Sequence, residues 1–193
     1  MQAASSRIRH LASDDMEIIP VSEVLAIEGL QAPTIKALVP SVDNYTALLM
    51  QPLGYIEASA AGVRNRDRAL AQRQFSGFLA KASQTNADLV VTPEYSMPWV
   101  VLIDAIKSGL TPAAGKLWAL GCESIKYAEL DALKDELRTL AAVVFEPLQA
   151  DPERFVDPLA YLFLAPLAVG GGPPRLVLLV QFKTHPRAIA ESW

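Results

Sequence analysis

The sequence predicts a layered α/β domain, and three observations carry that expectation. Short apolar runs alternate along the chain with segments whose apolar residues recur at steps of three and four. Hydrophobic residues make up 51% of the 193 and charged residues only 20%, which suits a packed core and argues against global disorder. No uncharged apolar run reaches the roughly 18 residues that a spanning helix needs. The richest stretch, Phe155 to Val169, is interrupted by Asp157, Pro158 and Pro166.

The elements follow in order. Residues 1–43 read as an N-terminal extension, broken by Pro20, Pro33 and Pro40, with one short helix from Ser22, a candidate N-cap, through Leu30. Residues 44–193 read as the domain itself. Tyr45 to Met50 is a short apolar run and is expected as a buried strand. Arg64 to Ala82 is expected as an amphipathic helix, because Ala71, Phe75, Phe78, Leu79 and Ala82 share one face. After a turn at Thr85, Asn86 and Asp88, Leu89-Val90-Val91 forms a second strand that ends at Thr92-Pro93. Val100 to Ser108 is a second helix, Gly109 to Gly115 a loop, and Leu117 to Gly121 a third strand. Glu129 to Leu140 is helical on the stripe Leu130, Leu133, Leu137 and Leu140. Ala141 to Phe145, Leu159 to Leu164 and Leu176 to Phe182 complete the strands, separated by a polar loop and the Gly170 to Pro174 turn.

Charge and composition exclude several function classes. Seventeen Lys and Arg stand against 21 Asp and Glu, a net charge of −4, so nucleic-acid binding by bulk electrostatics is not expected. One cysteine excludes a disulfide framework, and with two histidines it excludes a Cys/His zinc site as the organising element. Arg7, Arg9 and His10 are followed by Asp14 and Asp15 with no apolar h-region, so no secretory signal is expected. Cytoplasmic residence without membrane attachment is the resulting expectation.

Three places carry possible chemistry. In Ala87-Asp-Leu-Val-Val-Thr-Pro-Glu-Tyr95 an apolar strand delivers Glu94 at its C-terminal end. That edge of an α/β sheet is where ligands bind, and burial there suits a carboxylate to general-base work. A loop glutamate facing water is the alternative. In Val180-Gln-Phe-Lys-Thr-His-Pro186 a strongly apolar strand ends in Lys183, which is placed to stabilise an oxyanion or, more plainly, to be solvated. His185, beside a proline, reads as surface. Gly121-Cys-Glu-Ser124 holds the single thiol, and Cys122 reads as a small core residue with no histidine partner nearby. Glu123 stays ambiguous. The Gly170–Gly172 run lacks the lysine and helix of a phosphate loop. Tyr95, Met97 and Trp99 either line a pocket or pack.

In this order the motifs resemble those of the nitrilase, or carbon–nitrogen hydrolase, superfamily, from about Tyr45 onward. Asp88-Leu-Val-Val-Thr-Pro-Glu94 matches that family's strand ending in Pro-Glu. Trp118-Ala-Leu-Gly121 matches a strand with a glycine near its end, and Gln181-Phe-Lys-Thr-His185 matches the lysine strand end. The resemblance implies an α-β-β-α sandwich and a Glu–Lys–Cys set acting on a non-peptide amide or nitrile. Glu94 would be the general base and Lys183 the oxyanion-stabilising cation, with Glu191 as a loose match to a second glutamate. Tyr95 and Trp99, which follow Glu94, are the candidate substrate-binding residues by position. No cofactor and no metal are implied. In the family the cysteine follows the lysine, whereas this sequence ends ten residues after Lys183 without one, and Cys122 precedes it. The expectation is therefore a domain incomplete at its C-terminus, with one sheet face uncovered. It would form homo-oligomers or associate with a missing C-terminal half. A non-catalytic relic or a partner-dependent binding module with the same fold is the alternative.

Overall fold

Why the chain folds as it does is visible in a computed structural model, which describes residues 19–40, 44–145 and 151–182. Four helices are present among them: α1 (Val21–Ile27), α2 (Arg68–Thr85), α3 (Trp99–Lys107) and α4 (Tyr127–Leu137). The strands are β1 (Ala47–Leu49), β2 (Ile56–Ser59), β3 (Gly62–Asn65), β4 (Leu89–Met97), β5 (Leu117–Cys122), β6 (Ile125–Lys126), β7 (Ala141–Phe145), β8 (Phe155–Val156), β9 (Pro158–Ala165) and β10 (Arg175–Phe182). Six of them make one mixed sheet in the order β1-β4-β5-β9-β10-β7, and β2–β3 and β6–β8 form two small antiparallel pairs. Within the large sheet only β9 runs against the others, so the C-terminal ends of β1, β4, β5, β10 and β7 share one edge. The α/β expectation holds at this level.

The strand alternation sorts side chains onto two faces. Trp118, Leu162, Leu178 and Val143 lie in register across β5, β9, β10 and β7 and face α2, α3 and α4. The helices meet them with Ala71, Phe75, Leu79 and Ala82 from α2, Leu102 and Ile106 from α3, and Leu130, Leu133 and Leu137 from α4. The α2 face expected from the sequence is the one that is buried. On the other face Phe163, Val177, Ala142 and Leu117 pack under Leu25 of α1, Leu30 and Ile35. Leu30 also forms a bridge to Leu167. The described part of residues 1–43 is thus packed on the sheet. It covers one end of the second face, while Tyr161 and Leu179 beyond it stay half-buried.

Several elements differ from expectation, each for a local reason. α2 starts at Arg68 rather than Arg64, because Gly62–Asn65 pairs with Ile56–Ser59 in a hairpin and Asp67 accepts a 2.9 Å cap bond from the Leu70 amide. Asn86 closes α2 in the left-handed conformation at φ 53°. α1 is entered through Pro20, whose carbonyl accepts from the Glu23 amide, and Ser22 makes no cap bond there. β1 was expected buried but is a short edge strand with Leu49 70% exposed, since only β4 flanks it. β4 does not end at Thr92-Pro93 but resumes to Met97.

At the N-terminal end of β4 one carboxylate gathers three segments. Asp88, its side chain 2% exposed, accepts from Lys36 Nζ at 3.0 Å, from the Thr46 amide at 2.7 Å, from Thr46 Oγ1 at 3.0 Å and from Lys116 Nζ. The Lys116 ammonium, then the Thr46 amide and Lys36, hold its carboxyl well below the usual carboxylate range. The stability from this lowered pKa is complete above the unfolded value of about 4 and is lost as pH falls below it. Asp88→Asn is expected to lower Tm more than Lys107→Met, which breaks only the exposed Lys107–Glu136 pair. The gap between the Asp88→Asn variant and the parent should narrow below about pH 4, as thermal melts across pH would show.

Candidate functional site

The C-terminal edge of the sheet is built around an interruption in the β4–β5 ladder. Thr92 pairs with Leu120, and pairing resumes at Met97 with Cys122. β4 thus advances five residues while β5 advances two, and three residues are looped out. Pro93 and Glu94 in this loop are exposed and Tyr95 is half-buried. Tyr95 sits at φ +60°, a left-handed conformation that costs a non-glycine residue roughly 1–2 kcal/mol. Ser96 Oγ closes the loop by donating to the Pro93 carbonyl at 2.6 Å.

Gly121 makes room for this crossing. A methyl group there would lie 2.2 Å from the Pro93 oxygen and 2.5 Å from Glu94 Cα. Leu120 and Cys122 point into the helical core, so the empty side of Gly121, and Glu94 above it, belong to the opposite face. The Gly121 amide, displaced from the ladder, donates to Thr92 Oγ1 at 3.0 Å.

A polar lattice supports the loop from the β2–β3 side. Asn65, buried, donates from Nδ2 to the Ser96 carbonyl and to Glu123 Oε1, both at 2.7 Å, and from its amide to the same oxygen at 2.8 Å. The Glu123 carbonyl accepts from Trp99 Nε1 at 2.8 Å, and its amide donates to Met97 O at 2.9 Å. Ser124 Oγ accepts from the Val63 amide at 2.7 Å and donates to Asp157 Oδ1 at 2.6 Å.

The residues expected from the sequence fare differently. Glu94 stands exposed at the expected edge, but within a bulge rather than at a strand terminus. Tyr95 follows it directly. Trp99, expected to contact substrate, is 8% exposed and opens α3 in the helical core, with its indole nitrogen already bonded. Lys183 lies outside the described residues, as do His185 and Glu191. Phe182, immediately before Lys183, pairs with Pro158, and Gln181 lies level with Gly121 through Leu159. The end of β10 and the Glu94 loop therefore share one sheet edge, two strands or about 10 Å apart measured from β5.

Cys122 is fully buried, with Sγ 3.5 Å from the Leu120 carbonyl, and burial together with the Glu123 charge pushes its thiol far up. Among the described residues no group of three or more His, Cys, Asp or Glu could hold a metal ion, and no helix is long and apolar enough to cross a membrane. A shallow cleft lined by Ala82, Asn86, Thr111, Lys116 and Trp118 lies at the opposite sheet edge, away from Glu94. Sequence reasoning missed Asn65 and Ser96 and left Glu123 open. The one usable signal was a glycine in an otherwise apolar strand facing a Pro-Glu pair.

No protein-family model matches the chain, and neither curated proteins nor solved structures match it.

Two outcomes follow from this geometry. Gly121→Ala is expected to cost about 3 kcal/mol, since the methyl meets backbone rather than a flexible side chain; a denaturant titration with a near-parental midpoint would refute the crossing. Cys122 is expected to react with a thiol-directed disulfide reagent at pH 8 only as fast as the chain opens, and rapid labelling of the folded chain would refute its burial.

Proposed function

We propose that this chain carries the general-base and oxyanion half of a nitrilase-type site that acts on a non-peptide amide or nitrile. The observation that carries the reading is the Pro93–Glu94–Tyr95 loop, held in a strained conformation at the strand edge where β10 ends. Strained backbone of this kind collects at functional sites. Glu94 is the base and Lys183, the residue after Phe182, the cation. The sheet with α2–α4 would supply two layers of the α-β-β-α sandwich. The second face, half-buried at Tyr161 and Leu179, would meet the next sheet, from another copy or from further chain.

In the proposed reaction Glu94 takes the proton of a thiol, and the thiolate attacks the amide or nitrile carbon. Lys183 donates to the developing negative charge. In the amide case the carbon–nitrogen bond breaks, Glu94 returns the proton to the leaving amine, and a thioester remains. Water, deprotonated by Glu94, resolves it to acid and free thiol. Cys122 does not fill the thiol role, because it is buried on the face away from Glu94. The thiol would come from outside these 193 residues.

The chain itself should therefore bind without turning over. Ligand-observed NMR with simple aliphatic and aryl amides and nitriles is expected to show binding of at least one class. Glu94→Gln and Lys183→Met should each weaken it about tenfold, or ~1.4 kcal/mol. Ammonia release should stay at the buffer rate. Absence of binding, or binding indifferent to both variants, overturns the reading in favour of a module of another kind. Ammonia release that Cys122→Ser removes overturns the placing of the thiol.

A further inference from the structure

We propose that Asn65 and Glu123 form a positioning couple that sets where the Glu94 carboxylate stands. Three elements meet in it. Glu123 Oε1 accepts both the amide and the Nδ2 group of Asn65, which fixes the end of β3 against the turn after β5. The same Nδ2 group donates to the Ser96 carbonyl, at the downstream end of the Glu94 loop. Both partners of that nitrogen are acceptors, so the amide has one satisfied orientation. Ser96 in turn holds Pro93, at the upstream end. A bonded path therefore runs from the Glu123 carboxylate through Asn65 and Ser96 to the residue before Glu94. The Glu123 carbonyl accepts from the Trp99 indole of α3, and its amide donates to the Met97 carbonyl at the end of β4, so the couple is held through its backbone as well.

The functional weight of the couple rests on Glu94 being the base proposed above, but its effect on Glu94 is read without any substrate. Chain labelled at the glutamate side-chain carboxyl carbon gives the resonance of Glu94, assigned by its loss in Glu94→Gln. Asn65→Ala and Glu123→Ala are expected to move that resonance by several linewidths. Glu123→Gln should leave it in place, because one carbonyl oxygen still accepts both Asn65 donors. A Glu94 signal unchanged in the alanine variants, even with a lowered Tm, overturns positioning in favour of a structural role. A shift as large in Glu123→Gln as in Glu123→Ala overturns it in favour of charge alone. Where the alanine variants do not fold, Ser96→Ala, which removes only the Ser96–Pro93 bond, carries the same test, and an unmoved signal there overturns it. A chain that binds no amide yet shows these shifts would sink the hydrolase reading and leave the couple standing.

Discussion

The shape of the C-terminal sheet edge depends on the missing side chain at position 121. The Pro93–Glu94 backbone passes so close over β5 that any Cβ there would meet it. A parallel ladder normally keeps neighbouring strands in even register, with both chains leaving the sheet together. Here β4 leaves, crosses and returns, and pairing resumes at Met97 with Cys122. The crossing turns Glu94 outward and forces Tyr95 into a left-handed conformation. Without the space above Gly121 the two strands would pair straight through, and Glu94 would be one more ladder residue.

Such a crossing needs both ends of β4 held. At the N-terminal end Asp88 binds Lys36, Thr46 and Lys116, so the segment under the sheet, the entry to β1 and the entry to β5 all refer to one carboxylate. At the C-terminal end the side chains of Asn65, Ser96 and Thr92 take up the Ser96 carbonyl, the Pro93 carbonyl and the Gly121 amide that the broken ladder releases. The described residues leave no buried side-chain nitrogen or oxygen without a partner. That balance matters, because an unmade bond in a buried lattice costs more than a made one contributes. The strain at Tyr95 is thus set against several hydrogen bonds that only the looped conformation can form.

What the sequence disclosed divides along the same line. Local periodicity revealed α2, because Ala71, Phe75, Leu79 and Ala82 are spaced for one buried face. Continuous apolar runs revealed β9 and β10, whose positions between other strands bury them from both sides. The β2–β3 hairpin escaped, since Ile56–Ser59 is exposed throughout and shows no alternation. β1 looked buried for the converse reason: an apolar run does not announce that it lies at an edge. Glu94 was legible as a carboxylate after an apolar strand, but the bulge was not, because it depends on Gly121, far along the chain. Asp88 read as a turn residue for a similar reason, with partners 52, 42 and 28 residues away.

The two faces of β5 also decide what any chemistry at Glu94 must look like. Adjacent residues of a strand point to opposite sides, so Cys122 and the space above Gly121 cannot serve one site. Cys122 lies with Leu120 and Met97 in the helical core, where its thiol is hard to ionise. Glu94 lies on the other side, on the face that α1, Leu30 and Ile35 cover only at one end. A reacting group that meets Glu94 must therefore reach it from the second face or along the sheet edge. The nearest described strand end on that edge beyond β5 that runs parallel to it is β10, which ends at Phe182. Tyr127 and Phe182 each pack edge-on against Phe145, and lie tilted to one another, with ring centres 5.7 to 6.3 Å apart, which fixes the end of β10. Rigid presentation of both strand ends is what a preorganised site requires of its scaffold.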